Sequence, residues 1–152
     1  MDRLQQALDL AYRHLAKRDR TEMEVRRHLE ARGVDPATAG SALAELERQG
    51  YVDDARYARR FAEDRRTLDS WGTERIEQRL LSVGVAPEIV VVAVSTQPPE
   101  AELDAAVELL RRRFPEPPED DRARNRALGL LVRRGYDLEL AHDAIRALAR
   151  PG

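Results

Sequence analysis

Cysteine is absent from the 152-residue chain, which excludes disulfides, thiolate catalysis and cysteine-ligated zinc. Aromatic residues make up only 5% of it, too little bulky apolar material for one thick globular core but enough for thin helical layers. No stretch approaches the roughly 18 apolar residues of a membrane span, and Met1-Asp2-Arg3-Leu4-Gln5-Gln6 lacks the apolar core of a signal peptide, so a soluble, cytoplasmic protein is expected. Excess charge of one sign is missing too. Residues 1–51 carry nine Lys/Arg against nine Asp/Glu, 52–98 seven against eight, and 99–152 ten against eleven, for a formal net charge of -2. A protein whose only task is to coat DNA normally shows a strong positive excess, so any basic surface here must be assembled by folding.

Catalytic signatures are also lacking. There is no glycine-rich phosphate loop, no Walker-type lysine and no nucleophile elbow. His14, His28 and His142 lie on predicted helices without a second ligand set at metal-binding spacing, and read as solvent-facing or partly packed residues. The carboxylates sit among arginines at i±3 or i±4, where helix-surface pairing accounts for them. The expectation is a non-enzyme with no metal and no cofactor.

What is present is a repeat. Gly33, Gly84 and Gly135 are spaced 51 residues apart, and the same interval links Leu29, Leu80 and Leu131, then Val25, Ile76 and Ala127, then Val34, Val85 and Tyr136. Three glycines, each preceded by leucine at minus four and followed by an apolar residue, are not a chance pattern. Thr21 to Arg32, Thr73 to Val83 and Asp121 to Arg134 place apolar residues at i and i+4 without internal proline, as amphipathic helices do. A glycine directly after such a helix suits a left-handed C-cap, and Asp35-Pro36 then supplies an N-cap and first-turn proline for the next one. Thr21 with Glu24 three residues on reads as a capping box. A third helix precedes each pair, with stripes Leu4, Leu8, Ala11, Leu15; Tyr57, Phe61, Ala62, Leu68; and Leu103, Val107, Leu110, Phe114. The expected fold is all-α: three tandem three-helix repeats over 1–51, 52–98 and 99–152, stacked as an elongated, curved array.

Three further features stand out: Arg18-Asp-Arg-Thr21-Glu-Met-Glu24-Val25-Arg-Arg-His-Leu29, the run Gly50-Tyr51-Val52-Asp53-Asp54-Ala55-Arg56-Tyr57-Ala58, and Gly72 with Ile76, Leu80, Gly84 and Val85. Together they resemble the RecX family of recombination regulators. Leu131 with Arg133-Arg134-Gly135-Tyr136 is similar to that family's C-terminal repeat. The resemblance implies a protein that binds the RecA recombinase in the groove of its filament on single-stranded DNA. It implies restraint of filament growth, ATP hydrolysis, strand exchange and coprotease activity, without a cofactor and as a monomer.

The family transfers no catalytic residues, so contact residues are chosen by surface logic. Arg75 and Arg79 stand i, i+4 on one helix edge; Arg65 and Arg66 end the preceding helix; Arg133 and Arg134 occupy the last turn of the third repeat's middle helix; Arg26 and Arg27 lie on its counterpart in the first. Each is either a partner contact or a solvated helix face, and Arg133 and Arg134 are also favoured by the helix dipole alone. Gly50, Tyr51, Asp53, Asp54 and Tyr57 read as structural, and Trp71 as either a core plug or a partner anchor. Two other functions compete: a stand-alone DNA-binding helical protein with weak direct DNA contact, and a solenoid peptide scaffold, although a 51-residue period fits neither the 34- nor the 33-residue class.

Overall fold

A computed structural model describes residues 2–149. Among these the chain forms nine helices and no strand: α1 (Arg3–Leu15), α2 (Glu22–Ala31), α3 (Pro36–Gln49), α4 (Asp54–Asp69), α5 (Thr73–Ser82), α6 (Pro87–Val94), α7 (Pro99–Arg113), α8 (Asp121–Arg134) and α9 (Leu138–Leu148). They are three successive three-helix groups.

The boundaries follow local chemistry. Thr21 accepts from the Glu24 amide while Glu24 reaches back to the Thr21 amide, closing the capping box. Asp35, Asp120 and Asp137 cap α3, α8 and α9 through amides three residues on, and Asp53 does the same for α4 through the Arg56 amide at 3.0 Å. Gly33, Gly84 and Gly135 have φ of 87°, 91° and 99°, the left-handed C-cap that the repeat implied.

The chain divides into two compact units that cut across the repeats. One runs to Arg60 and adds Leu80–Val90; the other holds Phe61–Arg79 and continues from Val91. In the first, α1, α2 and α3 lie against one another around a core that includes Ala7, Val25, Leu29, Leu43 and Leu46. In the second, α7 and α8 each lie against α9 over Leu110, Leu131, Tyr136 and Ala144. Leu68, expected in the α4 stripe, is 71% exposed. It stands in the last turn of α4, where periodicity sets the direction of a side chain but no neighbour covers it.

Each unit contains one joint of the same design, at positions 51 residues apart. In the first, Thr21 Oγ1 donates to the Val83 carbonyl at 2.6 Å, and Gly84 lies so close to Met23 that a Cβ on it would stand 2.5 Å from the Met23 Cβ. In the second, the Gly72 amide donates to the Arg134 carbonyl at 2.7 Å and the Glu74 amide to the Gly135 carbonyl at 2.9 Å. A Cβ on Gly72 would stand 2.5 Å from Gly135 backbone atoms. The orphan carbonyls ending one middle helix thereby meet the start of the preceding repeat's middle helix.

Candidate partner-binding surface

The second joint gathers five of the eight sequence-selected arginines around the turn Asp69–Thr73, and most of them are occupied with holding it. Arg65 pairs with Asp69 one turn on. Arg66 donates to Thr73 Oγ1 at 3.2 Å and the Val94 carbonyl at 2.8 Å, and its buried Nε has no acceptor; burial pulls this guanidinium below its ordinary pKa. Arg134 donates to the Asp69 carbonyl at 2.6 Å. Arg75 lays its guanidinium 4.0 Å from the Trp71 ring centroid, and its Nη1 reaches the Arg133 carbonyl at 3.4 Å. Arg133 thus joins the turn through its backbone, while its side chain points elsewhere.

Ser70 at the tip adopts φ of 55°, a left-handed conformation that costs a non-glycine residue about 1–2 kcal/mol. Three side chains of the third repeat hold it there. The Tyr136 hydroxyl donates to the Ser70 carbonyl at 3.0 Å, Arg112 to Ser70 Oγ at 2.8 Å, and Arg134 to Asp69 as above. Burial, with Glu102 beside it, pushes the Tyr136 phenol up to about 12. Glu102 also accepts the Thr73 amide at 2.7 Å, capping α5 from a distance. Trp71 is half-buried, edge-on to Phe61 at 5.8 Å, so it is neither a full core plug nor a free anchor.

The other sequence-selected residues lie apart. Arg26 pairs with Glu22 at 3.5 Å, a helix-surface pair of small energy. Arg27 is exposed on α2, and Arg79 is exposed on α5. Asp54, expected to be structural, accepts the Glu22 amide at 2.9 Å and so ties α4 to α2; desolvation raises its pKa.

Beside the turn an open cleft of about 500 Å³ is walled by Leu68, Trp71, Leu109, Arg112, Arg113 and Arg134. A second, of about 570 Å³, is lined by Arg113, Phe114, Arg122, Asn125, Arg126, Leu130 and Arg133. Sequence reasoning passed over Arg112, Arg113, Arg122 and Arg126. The signals were the run Arg111-Arg112-Arg113 at the end of α7 and the i, i+4 pair Arg122/Arg126 at the start of α8. Among the described residues no group of three or more His, Asp or Glu could hold a metal, and no helix is long and apolar enough to cross a membrane.

Comparison with known proteins matches this architecture repeat by repeat. Family models for the first, second and third three-helix domains of RecX match residues 7–46, 53–93 and 100–145. The chain is 31% identical over 147 residues to the regulatory protein RecX of Amycolatopsis mediterranei, covering 95% of this chain and 84% of that one. It is 33% identical over 142 residues to that of Deinococcus radiodurans, covering 93% and 68%. The crystal structure of RecX from Lactobacillus salivarius superposes with a TM-score of 0.85 over 97% of both chains at 18% identity, a likeness of fold. With three helix triplets, each found by its own domain model in order along the chain, this protein belongs to the RecX family of regulatory proteins.

Proposed function

We propose that this chain regulates the RecA recombinase by binding its filament on single-stranded DNA, and that it inhibits filament extension, ATP hydrolysis, strand exchange and coprotease activity. The observation that carries this reading is the ordered match of all three RecX domains, 7–46, 53–93 and 100–145. Physical support comes from the repeats themselves. Several weak contact sites on one chain gain affinity through effective concentration, which favours an assembled polymer over a free protomer. The chain acts as a monomer in the cytoplasm, without catalysis or cofactor, within DNA recombination, repair and the SOS response.

Of the eight arginines selected from sequence, Arg65, Arg66 and Arg134 serve the turn, Arg75 is stacked on Trp71, and Arg26 is paired within its helix. Arg27 and the side chain of Arg133 are therefore the strongest contact candidates, together with Arg79, which is also exposed. The test is co-sedimentation with RecA filaments formed on single-stranded DNA. The chain should pellet with filaments and stay in the supernatant with RecA alone; equal recovery with and without filaments would overturn the reading.

A further inference from the structure

The joint repeated in the two units has a third, open instance. Thr21 and Gly72 receive the ends of α5 and α8, and the equivalent position one period on is Ala123, in the first turn of α8. The period likewise takes Trp71 to Arg122 and Arg75 to Arg126. No later helix meets this face among the described residues, and the 570 Å³ cleft lies on it, with Arg113, Arg122, Arg126 and Arg133 around Phe114 and Asn125.

Three local choices at this cleft oppose folding. Arg122 and Arg126 stand in the first two turns of α8, where the dipole favours acids, and they are a like-charged i, i+4 pair. Gly129 is in the interior of α8, where glycine weakens a helix. Its missing side chain leaves room for Arg133, since a Cβ there would stand 2.9 Å from Arg133 Nη1. None of the four guanidinium groups has an ion-pair partner among the described residues. The neighbouring acids are used elsewhere: Asp120 caps α8 through the Ala123 amide, and Asp121 pairs with Arg124 at 2.5 Å. Local costs that converge on one feature mark a functional surface.

We infer that this cleft binds the phosphodiester backbone of single-stranded nucleic acid. The charges form a row: Arg122, Arg126 and Arg133 are four and seven residues apart on α8, about 6 and 10 Å along the axis. That suits a chain of repeated anions better than a single carboxylate. Guanidinium forks match phosphate oxygens in pairs. Phe114, partly buried against the core of the third repeat, lines the cleft as an apolar contact for a base, and Asn125 supplies a donor and an acceptor for a base edge. The inference deepens the reading of the chain as a ligand of a DNA-bound filament, but its test needs no recombinase.

The experiment measures fluorescence anisotropy of a labelled oligothymidylate titrated with the full chain at two salt concentrations. The triple variant Arg122→Glu, Arg126→Glu, Arg133→Glu should bind at least about tenfold more weakly, and the dependence of log affinity on log salt should flatten by about two, the share of three phosphate contacts on a single strand. Arg59→Glu, an exposed charge change on α4, should bind as the wild type does. Gly129→Ala guards against a folding defect: it should melt no lower than wild type, because alanine favours the helix, yet bind several-fold more weakly because Arg133 is displaced. Wild-type affinity in the triple variant, or no binding by the unaltered chain, would overturn the inference. So would polyglutamate displacing the oligonucleotide more effectively than unlabelled oligothymidylate does, which would assign the cleft to an acidic protein segment. A triple variant that loses the oligonucleotide but still restrains RecA supports the inference and removes Arg133 from the filament contacts, leaving Arg27 to carry them. Oligonucleotide binding at the cleft by a chain that leaves RecA untouched would remove the regulatory reading alone.

Discussion

Replacing Gly72 by alanine should be among the most damaging small substitutions in the chain, although Gly72 is not in a left-handed conformation. The added carbon would stand 2.5 Å from the Gly135 carbonyl carbon and oxygen and from the Tyr136 nitrogen. Carbon contacts relax near 3.5 Å, so the joint must open by about 1 Å, and backbone facing backbone has no rotamer to yield. Opening by that amount stretches the bonds from Gly72 to Arg134 and from Glu74 to Gly135, now 2.7 and 2.9 Å, beyond useful length. Two lost backbone bonds with partly buried groups left unpaired cost about 3–4 kcal/mol. Gly33→Ala is the control, because Gly33 has φ of 87° but open space around it. Its cost is the left-handed penalty alone, about 1 kcal/mol. Gly135→Ala combines both penalties, with a Cβ 2.3 Å from the Arg75 Cβ, and should cost about 5 kcal/mol. Urea unfolding followed by circular dichroism ranks the three. Gly72→Ala within about 1 kcal/mol of wild type, or Gly33→Ala as harmful as Gly135→Ala, would refute the backbone-contact argument.

The first unit's joint makes a parallel prediction: Thr21→Val removes both the cap of α2 and the 2.6 Å bond to Val83, and should cost about 2–3 kcal/mol in the same urea assay. Stability should also fall with acid through the stacked pair His14 and His28, whose rings lie 3.8 Å apart and nearly parallel. Burial, then His28, then Arg20, Arg18 and Lys17 lower the His14 pKa from 6.5 to about 4, so the unfolded chain takes up a proton that the folded one refuses. The contribution is complete above pH 6.5 and is lost as pH falls towards 4, by about 1–2 kcal/mol after allowance for solvent screening at this partly exposed pair. His14→Gln should remove most of that slope in urea melts taken across the range.

Much of the fold was legible because its rules are local. The capping box at Thr21, the proline after Asp35 and the glycines after α2, α5 and α8 fix where helices start and stop within a few residues. The joints were not legible, since Gly72 meets Gly135 across 63 residues, and close backbone approach leaves no pattern in either neighbourhood. The same reason explains the arginines. Arg65, Arg66 and Arg134 look like exposed charges along their own helices, and only the turn at Ser70 shows what they hold. Arg122 and Arg126, which carry the open cleft, were visible as an i, i+4 pair but indistinguishable from a solvated face until the missing counter-charges could be located.

The measurement that tests the central claim most directly is RecA ATP hydrolysis on single-stranded DNA as the chain is titrated in. Regulation of the filament predicts a progressive fall in hydrolysis at chain concentrations below that of RecA, because contacts spread over several repeats favour the polymer. The Arg27→Glu, Arg133→Glu variant, with both substitutions on exposed side chains, should keep its melting temperature and lose potency at least about tenfold. Hydrolysis unchanged at equimolar chain, with the chain folded, would contradict the account.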